Sequence, residues 1–534
     1  MADRDRSWQY ALAGALLVAG PLARQLYYAR YPLTSPEALV LLTGLAVSGA
    51  AIAGLGFRLG RALSGVVFAG LLLLFLDLQF DFRRPIVFGG VAALCLLFAL
   101  LLGRWRASIT GLVLGGFYLA ALPLRSPDEV TTRQAGRIAA PRAVRPIVHL
   151  ILDEHLGIGG FRGIGDTLTA NFLTDFYVRR GFDVYPGAYS RFNVTRKSIV
   201  SVLSLGEVDE SALLTPERGG VPAPLARNPY FARLAGEGYR LNVYQSANLD
   251  FCQTSGVEIA TCTRVPPTSV SNISYLRIPW TQKARLVLEF HIMHSSSLRW
   301  LHPRGQEVAS RHIFAARGLE LLRAASHDFL SRQDRAEFFF AHVLLPHAPY
   351  ELDDECVTYL ERLRAPGTLK PTPDSLRNSR EARYRAQVRC LHRAVGQILD
   401  QVEEVFGRNQ AVIIIHGDHG SRATHRCEPN IVCNPPAATE AAVRSFRPLD
   451  FTAEFATLLA VRSPGGAGAV HWEATPLQDF LWAFIKSGFQ PVPPTPWQHY
   501  IYLNAPGGNI AHPLRPVDML WAPSPKPERP GAPP

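Results

Sequence analysis

The sequence predicts a bundle of about five transmembrane helices, followed by an α/β extracytoplasmic domain with a mostly parallel sheet sandwiched by helices. Three observations predict it. Long apolar runs crowd the first 123 residues. Beyond them, short apolar strands alternate with amphipathic helical patterns. Each of three such strands ends in a cluster of polar residues at its carboxyl end.

The apolar runs are Tyr10–Tyr27, Ala38–Phe57, Leu63–Leu78, Ile86–Leu102 and Ile109–Leu122. With some tilt and snorkelling each can span a bilayer. Arginines mark the joints: Arg58 and Arg61, Arg83 and Arg84, Arg104 and Arg106. The first run is not a cleavable signal, since four more follow it and no small-residue cleavage site accompanies it. With the N terminus inside, the inner ends hold a slight excess of arginine, and an odd number of spans places everything after Leu124 outside. The expected layout is a helical domain over 1–123, a proline-dotted linker over 124–146, a catalytic domain over 147–520 and a disordered proline-rich tail over 521–534.

At 534 residues the chain suits two or three units rather than one. Its net charge of +11 is carried almost wholly by arginine. That charge fits a solvated surface, an anionic membrane face or an anionic substrate. Nucleic acid is a poor reading and is not expected as a partner, because no basic stripe interleaves with aromatic residues. Cys95 lies in an apolar run, while the other six cysteines fall at 252 and 262, 356 and 390, and 427 and 433. An even count without CxxC spacing fits disulfides in an oxidising compartment better than a zinc ribbon.

The candidate chemistry sits at the strand exits, where α/β sheets collect active groups. Ile147–Leu152 (IVHLIL) runs into Asp153, Glu154 and His155, then a glycine-rich stretch to Gly165. Phe338–Leu345 (FFFAHVLL) runs into Pro346 and His347. Ala411–Arg422 reads AVIIIHGDHGSR, a buried strand that ends in two histidines, an aspartate and two glycines. Helical patterns over Arg311–Ser331 and Ser379–Phe406 separate them. Hard oxygen donors with imidazole suit a divalent ion, zinc or manganese. Asp418 and His419 are adjacent, so one turn aims both inward, and Asp153 on another strand is a third ligand. Any one of these reads equally as a cap or turn residue; three clusters in one chain favour a metal.

Arg191–Gly206 reads RFNVTRKSIVSVLSLG, with a helix over Ser198–Leu205 that starts near Thr195–Ser198. Thr195 and Ser198 are either ordinary N-caps or hydroxyls at an anion-binding helix start, which would make Thr195 a nucleophile.

The ordered set LILDEH, NVTRKSIVSVLSLG, HVLLPHAPY and IIIHGDHGSR resembles the alkaline-phosphatase superfamily, in its sulfatase-like, membrane-anchored branch of phosphoethanolamine transferases and lipoteichoic acid synthases. The resemblance implies an alkaline-phosphatase-like catalytic domain. It implies an acidic metal ligand at Asp153, with Glu154 the alternative, and a metal-touching threonine nucleophile at Thr195. It also implies a metal pair at Asp418 and His419 and substrate contacts from His347 and His425. His416 has no role under it. Asn193–Ser198 lacks the Cys/Ser-x-Pro-x-Arg signature of formylglycine sulfatases, which disfavours a true sulfatase. His342 and His347 hint at a second metal set, but no aspartate accompanies them.

The expected function is therefore a zinc- or manganese-dependent transferase of a bacterial inner membrane. It moves a phospho-head group from a phospholipid donor to an envelope glycan or lipid acceptor through a covalent threonine ester, and a monomer is expected. A membrane-tethered hydrolase or phosphodiesterase shares the first step and remains open. A catalytically inactive envelope assembly factor is the third reading. Trp280–Trp300, with tryptophan at both ends, lies along the bilayer surface or forms a core helix.

Overall fold

The computed structural model describes residues 7–29, 31–58, 61–80, 84–101, 145–207, 227–246, 249–252, 256–265, 270–276, 278–292, 318–329, 336–357, 373–421, 448–490, 497–505 and 508–514, with short pieces between them. Most of Ile109–Leu122, nearly all of the 124–146 linker, His425, Cys427, Cys433 and the 521–534 tail lie outside the described residues. The chain divides into two compact units, one of Met1–Pro127 with Thr268–Ala316, the other of Asp128–Pro267 with Arg317–Pro534.

In the first unit, α1 (Ser7–Tyr28), α2 (Pro36–Arg58), α3 (Arg61–Phe80) and α4 (Pro85–Leu101) coincide with the first four apolar runs. Of these, Pro36–Arg58 and Ala62–Phe80 are long and apolar enough to cross a membrane, while Ile86–Leu101 is apolar but shorter. α1 and α2 cross at glycines: a methyl on Gly14 would stand 2.2 Å from the Gly49 carbonyl oxygen, so only hydrogen allows this approach. The Trp280–Ile292 helix lies inside the predicted 147–520 domain, yet it packs with this unit. It buries Ala284, Leu286, Val287 and Phe290. Its end is fixed by polar bonds, His291 Nδ1 to Gln25 Oε1 at 2.7 Å and Ser295 Oγ to Asp77 Oδ2 at 2.6 Å.

The second unit is built on a seven-stranded sheet. Its strands in chain order are β1 (Ile147–Leu152), β2 (Asp183–Val184), β4 (Arg240–Ser246), β5 (Thr261–Val265), β6 (Glu337–Val343), β7 (Val412–Gly417) and β8 (Leu459–Arg462); β3 (Ala188–Tyr189) pairs elsewhere. The spatial order is β2-β8-β7-β1-β6-β4-β5. From β7 to β5 all neighbours are parallel, and β8 and β2 continue the edge antiparallel. The three predicted strands are the three central ones. β1 lies between β6 and β7, with Leu152 in register with Val343 on one side and Gly417 on the other. Each is buried along its whole length, which is why all three read as unbroken apolar runs. One face of the sheet packs Ile147, Ile151, Phe338, Phe340, Val412 and Ile414 against Ile199, Val202, Phe231, Leu477 and Phe480.

Cys252 bonds Cys262, Cys356 bonds Cys390, and Cys95 is a buried free thiol. The second bridge ties the loop after β6 to the Pro373–Phe406 helix across 34 residues. In the chain-entropy picture, a Cys356→Ser/Cys390→Ser variant should lose about 3–4 kcal/mol of stability. A thermal melt checks this, and an unchanged Tm contradicts it.

Candidate active site

The exits of β1 and β7 are adjacent, which brings Asp153 and Asp418 together. Among the described residues one group suits a metal ion: Asp153, Asp418 and His419, with donor atoms all within 4.8 Å of one another. Each donor is held. Asp418 Oδ1 accepts from the Glu154 N–H at 2.8 Å and the His419 N–H at 2.9 Å, while buried Oδ2 makes no hydrogen bond. His419 Nδ1 donates to the Gly420 carbonyl at 2.8 Å, leaving Nε2 its lone pair for a ligand. His342 Nε2 stands 3.2 Å from Asp153 Oδ2.

Glycines make this exit possible by close approach. A methyl on Gly417 would meet Thr457 Oγ1 at 2.4 Å and the His155 carbonyl at 2.6 Å. One on Gly420 would stand 2.1 Å from the Ala453 carbonyl. The opposite turn bends at Glu154, whose φ is 57°. Tyr384 staples it, donating to the Glu154 carbonyl at 2.9 Å and accepting from the Leu156 N–H at 2.8 Å.

Thr195 opens the Thr195–Leu203 helix, and the N-cap position is Val194, which offers no side-chain cap. The hydroxyl therefore does not cap its own helix. Thr195 Oγ1 lies 3.3 Å from Asp153 Oδ1 and 3.3 Å from His419 Nε2. The helix start is docked onto the β7 exit by Ser198 Oγ, which donates to the Asp418 carbonyl at 2.5 Å. Gln478 Nε2 reaches both Ser190 and Ser198 hydroxyls, at 3.1 and 3.2 Å. Arg191, at the head of the same run, is buried in an ion pair with Asp479 and lies 3.9 Å above the Tyr500 ring.

His347 faces the same acids, with Nε2 3.5 Å from Glu154 Oε1. Gln387 fixes its loop by donating to the Pro346 and His347 carbonyls, both at 3.1 Å. Glu154 thus pairs with His347, and Asp153 is the acid that joins the metal group. His155 turns away, its Nδ1 donating to the Leu156 carbonyl at 2.8 Å.

The electrostatics of the cluster follow from its burial and its two acids. Burial pushes both carboxylates up. For Asp153 the charge of His347, the His342 hydrogen bond and the charges of His342 and His419 outweigh burial and hold it at about 2. Asp418 stays raised, by burial and then by the negative charge of Asp153. Two buried carboxylates that oppose each other's ionisation, one with an unbonded oxygen, fit a divalent cation.

The fold brings Asp153, Thr195, Asp418, His419 and His347, all singled out in the sequence, close together. Their supports were not singled out there. His342 points from β6 to the shared site rather than to a second metal set, and its alternation with Phe338 and Phe340 was the available signal. Tyr384, Gln387 and Gln478 carried none.

No protein-family model matches the chain, and no curated protein does. Solved structures do. A phosphonate monoester hydrolase of Agrobacterium radiobacter is 12% identical, over 67% of this chain and 80% of its own, with a TM-score of 0.39. A 2-O GAG sulfatase is 12% identical, over 66% and 72%, with a TM-score of 0.38. The C-terminal periplasmic domain of EptC from Escherichia coli, solved with Zn, is 10% identical, over 64% and 78%, with a TM-score of 0.35. With likeness this distant, what the site can do is decided by its own residues.

Burial lowers the His347 pKa, but the charges of Glu154 and Asp153, the Ala348 carbonyl and Asp418 together lift it to about 9. A folded pKa above the unfolded value of about 6.5 stabilises fully below that pH and is lost as pH rises through about 9. The side chain is 32% exposed, so solvent screens part of the effect. Metal-free wild type should therefore melt above a His347→Gln variant at pH 6, with the gap closing by about pH 10. A gap independent of pH contradicts the assignment.

Proposed function

We propose that this protein is a membrane-anchored, metal-dependent phosphotransferase that takes a phospho-head group from a phospholipid through a covalent ester on Thr195. The observation that carries the reading is the Thr195 hydroxyl. It sits at a helix start with no side-chain cap and turns instead to Asp153 and His419. Asp153, Asp418 and His419 would hold a divalent cation, zinc or manganese, which supplies positive charge that favours the ionised hydroxyl and offsets charge on the transferring oxygens.

The residues then divide the work. Thr195 Oγ1 bonds to phosphorus as the bond to the diacylglycerol oxygen breaks, and that oxygen leaves with a proton. His347, protonated at neutral pH, donates to a phosphoryl oxygen, and the positive end of the Thr195–Leu203 helix faces the same group. An acceptor hydroxyl, from an envelope glycan or lipid, attacks the phosphorus in turn, and Thr195 leaves and recovers its proton. Water in place of that acceptor makes the same site a hydrolase. A lipid donor gives the apolar helical unit a purpose as an anchor; the multi-pass anchor and extracytoplasmic placement belong to this proposal. Two apolar helices of spanning length and two disulfides support it.

The test is the intact mass of the full-length protein in detergent after incubation with zinc or manganese and mixed phospholipids. A head-group adduct on wild type that is absent from Thr195→Ala is expected. Adduct on both variants removes Thr195 from the role. Steady release of head-group phosphate without an acceptor favours the hydrolase. Zinc bound but lipids intact and no adduct overturns the phospholipid donor.

A further inference from the structure

Two buried histidines lie in the apolar face of the sheet, and the reaction uses neither. His149 is the third residue of β1 and His416 the fifth of β7, each fully buried. Their same-face neighbours are Ile147, Ile151, Val412 and Ile414. Placing two imidazoles there costs desolvation that leucines would not incur.

Their hydrogen bonds define a single direction. His416 Nδ1 stands 2.7 Å from the Gly417 carbonyl oxygen, which can only accept, so Nδ1 carries the proton. The neutral ring then has a bare Nε2. His149 Nε2, 2.8 Å away, must donate to it. That leaves His149 Nδ1 as an acceptor, and the Tyr230 hydroxyl lies 3.3 Å from it. Every polar atom in the chain is used, and none needs a charge.

The chain ends at the peptide that leads into Asp418. Gly417 N–H donates to the Leu458 carbonyl at 3.0 Å, and the Gly417 carbonyl accepts from His416, so the residue before Asp418 is fixed by both its polar groups. We infer that Tyr230, His149 and His416 form a neutral hydrogen-bond chain that sets the Gly417–Asp418 peptide, and that both histidines are positioning residues for the cation site. The inference rests on the proposed role of Asp418 as a ligand. It also gives a reason for the histidine that precedes the Asp-His pair.

Zinc affinity of the full-length protein, by chelator competition, and the metal-free Tm separate positioning from packing. His416→Leu strands the His149 Nε2–H, so Tm should fall and zinc binding weaken roughly 10–100-fold. The His149→Leu/His416→Leu double variant, made in a Tyr230→Phe background so that the Tyr230 hydroxyl is not stranded in turn, leaves no stranded donor in the chain, so Tm should recover while zinc binding stays weak. His416→Asn keeps an N–H near the Gly417 carbonyl and should bind zinc within about threefold of wild type, well inside the usual loss for such supports. A double variant that regains both Tm and affinity makes the pair core packing and overturns the inference. So does His416→Asn binding as weakly as His416→Leu at native Tm. If the single variant does not fold, the double and asparagine variants decide. Wild type that binds no zinc or manganese sinks the cation site itself, and this inference with it. Wild type that binds while every variant binds equally sinks this inference alone. Ring-nitrogen NMR shifts of wild type add a check: protonated Nε2 on His149 and protonated Nδ1 on His416 are expected, and the opposite tautomer on His416 overturns the chain.

Discussion

Two aspartates at neighbouring strand exits, both removed from water, are the constraint around which this site is arranged. Asp153 and Asp418 oppose each other's charge where solvent cannot screen it. The surrounding residues answer that conflict with donors: backbone N–H groups to Asp418 Oδ1, His342 to Asp153 Oδ2, and the cationic ring of His347 nearby. A divalent cation held by Asp153, Asp418 and His419 would complete the balance. The turns, the glycines at 417 and 420 and the docking of the Thr195 helix all serve the placement of these two acids.

Much of this was legible in the chain. A fully buried parallel strand needs apolar residues on both faces, so IVHLIL, FFFAHVLL and AVIII stand out, and polar residues at their ends mark the edge of the sheet where groups converge. Asp153, Asp418 and His419 were readable because each adjoins such a boundary, and Thr195 because it stands where a helical pattern begins. His347 was readable for the first of these reasons.

What stayed hidden depends on pairing between distant segments. Strand β8, next to the edge strand β2, is only four residues long and antiparallel to its neighbours. Tyr384 and Gln478 sit on amphipathic helices as ordinary polar positions, and only the fold shows one stapling the β1 turn and the other joining two serines beside Thr195. Glu154 illustrates the limit well. In sequence it competes with Asp153 as a ligand; in space its positive φ swings it to His347, a choice of backbone conformation that composition does not encode. The bundle was legible only in part: four apolar runs are helices, and two of these have the length and hydropathy of a span.

The chain leaves the α/β unit at Pro267, contributes the Trp280–Ile292 helix to the N-terminal unit and re-enters at Arg317. The two units are therefore interleaved along the polypeptide rather than strung in series. A ribosome finishes the N-terminal unit only after it has made about two fifths of the α/β one, so neither can be complete before the other has begun. Recombination at a single point cannot exchange the two as cassettes. A truncation that starts at Ile147 carries Leu286, Val287 and Phe290 without the helices that cover them, and would emerge with an orphaned, sticky surface.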